Sequence, residues 1–119
     1  MAEITEAGYQ TLRDFIVANW TYVELRDAGS DPVLRLGTDD PRVSWTHQAG
    51  AQVLELTVVL QGSDADVPLG TTFTGSAIFS VAAGGSALSN ESFTPFTIAD
   101  TADQLTIRHR FEVPKVQES

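Results

Sequence analysis

Few side chains in these 119 residues are equipped for chemistry, and their spacing limits what they can do. Two carboxylate groupings stand out, Asp39-Asp40 and Asp64-Ala65-Asp66. Loop carboxylates two residues apart can turn their oxygens toward one calcium ion, which makes Asp64 and Asp66 the calcium candidates. The complete calcium loop is missing, because no glycine or terminal glutamate stands at the required offsets. Aspartate beside proline, glycine or serine is also what turns use, since its side chain bonds the local backbone. The turn reading is preferred, and no metal or other cofactor is expected. His47 and His109 are far apart in sequence. Brought together they can hold a metal, and either can act as a base beside Ser44 or Ser76. The competing reading makes His109 a hydrogen-bonded core residue and His47 a polar residue at a strand end.

Other catalytic patterns are missing. Sixteen acids leave many carboxylate pairs for glycoside hydrolysis, but no spacing selects one. No serine has glycines two before and two after it, and neither the phosphate loop nor the dinucleotide fingerprint occurs. The sole lysine is Lys115, and there is no cysteine for a thiolate, a disulfide or a cysteine-based zinc site. The expectation is a protein that is not an enzyme. A formal net charge of −9 argues against general binding to a nucleic-acid backbone, which needs a basic face. No run approaches the ~18 apolar residues that cross a bilayer, so no membrane partner is expected. Met1 to Glu6 carries acids without a basic cluster, and Arg13 and Asp14 interrupt the first apolar stretch, so no secretion signal is read.

Binding chemistry is better represented. Arg108 and Arg110 share a strand face with Thr106 and Glu112. Such a strip can meet an acidic surface of a neighbouring subunit, or form cross-strand pairs worth about 0.2–1 kcal/mol each. Trp20, Tyr22 and Trp45 are large enough to anchor an interface. For Trp20 and Tyr22, core packing and interface stand as equal readings.

These groups must be positioned by elements that the hydropathy pattern outlines. Thr5 and Glu6, followed by Tyr9, Leu12, Phe15, Ile16 and Trp20, predict an amphipathic helix over 4–19, with Thr5 as its cap. The period then falls to two. Strands are predicted within 21–27, 33–36, 42–47, 53–60, 72–81, 88–98 and 105–113, with turns at Ala28 to Pro32, Asp39 to Pro41, Gly62 to Gly70 and Ala82 to Ser86. In the fifth of these, Phe73, Gly75, Ala77, Phe79 and Val81 should share one face. Pro95 keeps the sixth irregular or on an edge. Residues 114–119 look like a loose tail. The expected fold is mainly β: one antiparallel β-sandwich or barrel-like domain of about seven strands, spanning 1–119, with one N-terminal α-helix.

The order of these elements is itself informative. The opening Ile4-Thr5-Glu6-Ala7-Gly8, followed by Leu12 and the helix, resembles the start of tailed-bacteriophage virion proteins of the tail-fibre and tail-collar type. Further on, Gly75-Ser76-Ala77-Ile78-Phe79, the Gly84-Gly85 turn, Ala87-Leu88, Phe93 and Gln104-Leu105-Thr106-Ile107-Arg108 follow the same pattern. The resemblance covers residues 4–20 and 71–113, and departs from the family at Ser76 and Ala77, where an acid and a glycine are usual. It carries no catalytic residues. It implies a virion structural protein (tail, neck or capsid decoration), made in the host cytoplasm and residing in the virion. Its partners would be itself, as a homo-oligomer such as a trimer or ring, and other virion structural proteins. The interface candidates are Trp20, Tyr22, Arg108 and Arg110. The alternative is a small β-sandwich module that binds carbohydrate or protein through Trp20, Tyr22 or Trp45.

Overall fold

A computed structural model describes residues 2–48 and 50–113. The predicted tail, residues 114–119, lies outside the described residues. One helix, α1 (Glu6–Asn19), precedes seven strands: β1 (Tyr22–Asp27), β2 (Pro32–Gly37), β3 (Val43–Trp45), β4 (Val53–Gln61), β5 (Thr71–Phe79), β6 (Ser89–Ile98) and β7 (Gln104–Glu112). They form two antiparallel sheets, one ordered β2-β1-β5-β6 and the other β3-β4-β7. The architecture is that of a β-sandwich-like domain with an N-terminal helix, as the period-two pattern predicted.

The helix starts two residues later than expected. Thr5 keeps an extended backbone and its hydroxyl accepts a hydrogen bond from the Gly8 N–H at 3.3 Å, so Ile4 and Thr5 stand outside the helix. Strand β4 alternates as its sequence demands: Leu54, Leu56, Val58 and Leu60 are fully buried, while Glu55, Thr57 and Val59 face outward. The sandwich interior joins Leu56, Val58, Leu60, Leu105 and Ile107 of one sheet to Val23, Leu25, Phe73, Ile78 and Ile98 of the other. Val67 closes it from the β4–β5 loop.

Strand β5 departs from even alternation. A register shift between Phe73 and Gly75 lets Phe73 point inward, then brings Ser76 and Ile78 inward beside Leu25 and Val23. The expected shared face of Phe73, Gly75, Ala77, Phe79 and Val81 is therefore split, and Val81 lies beyond the end of β5. Phe79 pairs with Tyr22 on the outer side, and is buried there by the Arg35 guanidinium, 3.6 Å from its ring centroid. Pro95 lies in the gap in the β5–β6 register, on an edge strand, as expected for a residue with no N–H to offer.

Candidate functional site

Four polar clusters and one apolar ridge are placed by this fold. The first cluster lies in the core. His109 on β7 is fully buried, and its Nδ1 meets the Ser76 hydroxyl at 2.8 Å while its Nε2 meets the Ser89 hydroxyl at 2.7 Å. Those serines belong to β5 and β6, so the imidazole ties one sheet to the other. Burial pushes its pKa down to about 4, leaving the ring neutral near pH 7. A neutral imidazole donates from one nitrogen and accepts at the other, which suits two hydroxyl partners. Ser76 and His109 thus meet, as one sequence reading allowed; Ser89 joins them without any local motif announcing it. His47 stands elsewhere, its Nδ1 3.4 Å from the Val53 carbonyl, three residues along β4 from the position opposite His109. Ser44 is exposed on β3.

Arg42 centres the second cluster. Its guanidinium donates to Asp40 and Asp66 at 2.7–2.9 Å and to Asp64 at 3.3 Å. Hydrogen bonds from Arg42 hold the Asp40 carboxyl down at about 2 and lower that of Asp66. Asp64 also accepts from the Gln61 N–H, which is turn chemistry. The calcium candidates therefore converge on a cation supplied by the chain itself. Among the described residues, no group of three acids or histidines is arranged to hold a metal ion.

A third cluster lies on the outer side of the four-stranded sheet. Glu24 is nearly buried between Arg35, 2.6 Å away, and Arg26, 3.1 Å away. Burial alone would raise its pKa, but the two arginines outweigh burial and lower it. Arg35 also donates to the carbonyls of Val81 and Gly84, pinning the β5–β6 loop.

The fourth cluster occupies the outer side of β3-β4-β7. Glu55 accepts from Arg110 Nε at 2.6 Å and from the Thr46 hydroxyl at 2.8 Å, and both bonds lower its pKa. Glu55 and Arg110 are direct neighbours in the β4–β7 register, so Arg110 takes the cross-strand role rather than a free one. Arg108, two residues away and opposite Thr57, is exposed. Among the described residues it is the one arginine with no carboxylate in ion-pair contact; Arg13, Arg26, Arg35, Arg42 and Arg110 each have one. Beside the Glu55–Arg110 pair runs an open groove of about 230 Å³, lined by Thr46, Gln48, Ala51 and Val53.

Two of the aromatic candidates, Trp20 and Trp45, pack against the core, while Tyr22 lies on the outer side beside Phe79. The Trp20 ring packs 5.7 Å from Phe111, and Trp45 meets the same ring edge-on at 5.9 Å. The Trp45 indole N–H donates to the Trp20 carbonyl at 3.2 Å. Trp20, Tyr22 and Trp45 are all half-buried, and Trp20 and Trp45 are engaged as the hinge between helix and sandwich.

The helix instead exposes residues whose part in a surface the sequence pattern obscured. One side of α1 is held down by buried Arg13 and Ile16. Arg13 donates to the Val113 carbonyl at 2.6 Å and to Glu6 at 2.6 Å, and Gln10 accepts from the Gly50 N–H. Leu12, beside that side, is 44% exposed and Phe15, turned away from it, 58%; Ile4, just ahead of the helix, is 55% exposed. At 3.6 residues per turn, Phe15 points well away from Trp20 and Arg13. That angular count was the available signal for Phe15, which lies roughly 100° round the helix from Ile16 and roughly 140° from Trp20, whereas Leu12, roughly 40° from Ile16, flanks the packed side. Comparison with protein-family models, with curated proteins and with solved structures finds no match for this chain.

Proposed function

We propose that this chain is a virion structural subunit of the tailed-bacteriophage type, acting through self-assembly and contact with neighbouring virion proteins. The observation that carries the reading is the exposure of Leu12 and Phe15 on α1. A helix that already buries Ile16 and Arg13 has little reason to display Leu12 and Phe15 to water, with Ile4 exposed just ahead of it, unless another surface covers them. The sequence resemblance of residues 4–20 and 71–113 supports the same role.

The carbohydrate-binding alternative has less support at Trp20 and Trp45, whose rings pack against Phe111, than at Tyr22, which takes no part in that packing. Size-exclusion chromatography with light scattering tests the proposal directly. A defined oligomer that dissociates on Phe15→Asp substitution is expected. A strict monomer at every concentration up to the solubility limit would overturn the reading.

A further inference from the structure

We infer that the outer side of the β2-β1-β5-β6 sheet holds a binding site for a small oxyanion, a carboxylate, phosphate or sulfate group seated beside Gly75 and Arg26. This goes beyond the assembly role and does not depend on it. The site begins as a gap in a strand. In the sheet register Gly75 has Arg26 of β1 on one side and Ser92 of β6 on the other. Its φ is not positive, so no left-handed backbone calls for glycine here. A glycine inside a strand without that need marks a place where a ligand or another backbone can approach closely. Register shifts at Leu25/Arg26, Arg26/Asp27 and Phe73/Gly75 also meet here, and such irregularities re-aim side chains beside binding sites. At this position lies a cavity of about 100 Å³, lined by Arg26, Ser30, Thr74, Asn90 and Ser92.

Charge and hydrogen-bonding capacity select the ligand. Glu24 is shared by Arg26 and Arg35, so two cations meet one anion and the cluster keeps an excess positive charge. Arg26 spends its Nε on Glu24 and its Nη1 on the Asn90 carbonyl oxygen at 3.2 Å. Among the described residues, nothing is hydrogen-bonded to its Nη2, to the Asn90 Nδ2 or to the hydroxyls of Ser30 and Ser92. Glu91 also borders the cavity, but its carboxylate accepts from the Arg110 N–H of β7 at 2.9 Å. The uncommitted groups are therefore N–H and O–H donors beside an excess cation. An oxyanion answers that set, because hydrogen bonds between a guanidinium and an anionic oxygen are the strong ones. The total charge of −9 does not forbid it, since at about 0.1 M salt charges more than about 10 Å away are screened. The cavity admits one such group and no larger ligand.

Nuclear magnetic resonance titration of the isotope-labelled protein is the test. Sodium phosphate, sodium sulfate and sodium acetate are added separately at constant ionic strength, with chloride as the balancing ion. At least one should shift the amide signals of Gly75, Ser92 and Ser30 saturably, at roughly millimolar concentration. Acetate against the two tetrahedral ions tells a carboxylate site from a phosphate or sulfate site. Two variants then locate the binding. Asn90→Asp sets a permanent carboxylate beside Arg26 and should weaken binding about tenfold or more. Gly75→Ala adds a methyl group 3.1 Å from the Glu91 carbonyl oxygen and should weaken it similarly. Asn90 is exposed, so Asn90→Asp should keep the wild-type far-ultraviolet circular dichroism, and it decides alone if Gly75→Ala unfolds. No saturable shift with any of the three anions overturns the site. Shifts that Asn90→Asp leaves intact also overturn it, because they report diffuse attraction to surface cations. Neither result touches the assembly role, which is read from the oligomeric state.

Discussion

At the scale of single residues, His109 dominates the energetics. Its imidazole is sealed between the sheets, and the partners facing it are uncharged: Ser76 from β5, Ser89 from β6 and the Phe111 ring edge-on at 6.3 Å. Opposite it on β4 stands Leu56. The nearest described charges on adjoining positions, Arg110 with its partners Glu55 and Glu91, lie on the outer side or at the strand edge. No carboxylate pairs with the ring, so burial disfavours the imidazolium. The folded state keeps the ring neutral down to about pH 4, whereas the unfolded chain takes up a proton near 6.5. Below pH 6.5 the unfolded state therefore binds more protons, and stability falls until the folded ring also titrates. The interval corresponds to a loss of roughly 3 kcal/mol. Asp40 shifts in a lower window, from 3.8 to about 2, so it contributes little to the loss above pH 4. Urea unfolding between pH 7 and pH 4 should show the wild type losing about 3 kcal/mol more than His109→Gln, whose amide does not titrate. Parallel pH profiles for the two proteins would refute the burial argument.

At the scale of elements, the strands were legible because their side chains have one dominant job. Val53 to Leu60 alternates so cleanly that face, boundaries and burial all follow from it. Strand β5 was less legible, since Gly75 and Pro95 announce an irregularity but do not say which way the faces turn after it. The register shift puts Ser76 into the core and Phe79 outside it. Arg42 was not legible at all as the partner of Asp64 and Asp66, because that contact joins the β2–β3 turn to the β4–β5 loop across more than twenty residues. Loop-to-loop contact also decides Gly62. A Cβ built there would lie 1.9 Å from the Asp100 carbonyl oxygen, and the Gly62 N–H donates to the Asp103 carbonyl at 2.8 Å. Backbone cannot yield as a flexible side chain can. Gly62→Ala should force the β4–β5 and β6–β7 loops apart at a cost of about 1–3 kcal/mol, read as a lowered urea midpoint with an unchanged slope. Gly50→Ala, by contrast, meets no atom within 4 Å, although its φ of +83° carries a backbone penalty of its own. An unshifted midpoint for Gly62→Ala would show that the loops are not locked together.

At the scale of the whole molecule, shape and charge act against each other. The radius of gyration is 15.6 Å, above the roughly 13.5 Å expected for a compact domain of this length, and the extents are 53 × 33 × 26 Å. The excess length matches a helix with only Arg13 and Ile16 buried, which places an apolar ridge where neighbours can reach it. Each copy also carries a formal charge of −9. Two such charges about 30 Å apart, near the shorter extents, repel by roughly 11 kcal/mol in water without salt. At about 0.01 M ionic strength the screening length is about 30 Å and reduces this to roughly 4 kcal/mol; at about 0.1 M it is about 10 Å and leaves less than about 1 kcal/mol. Repulsion therefore decides the sign. Assembly should tighten by at least tenfold between those two salt concentrations, as measured by sedimentation velocity across a dilution series. Dissociation on adding salt would mean that attraction between opposite charges, rather than the apolar ridge, drives the contact.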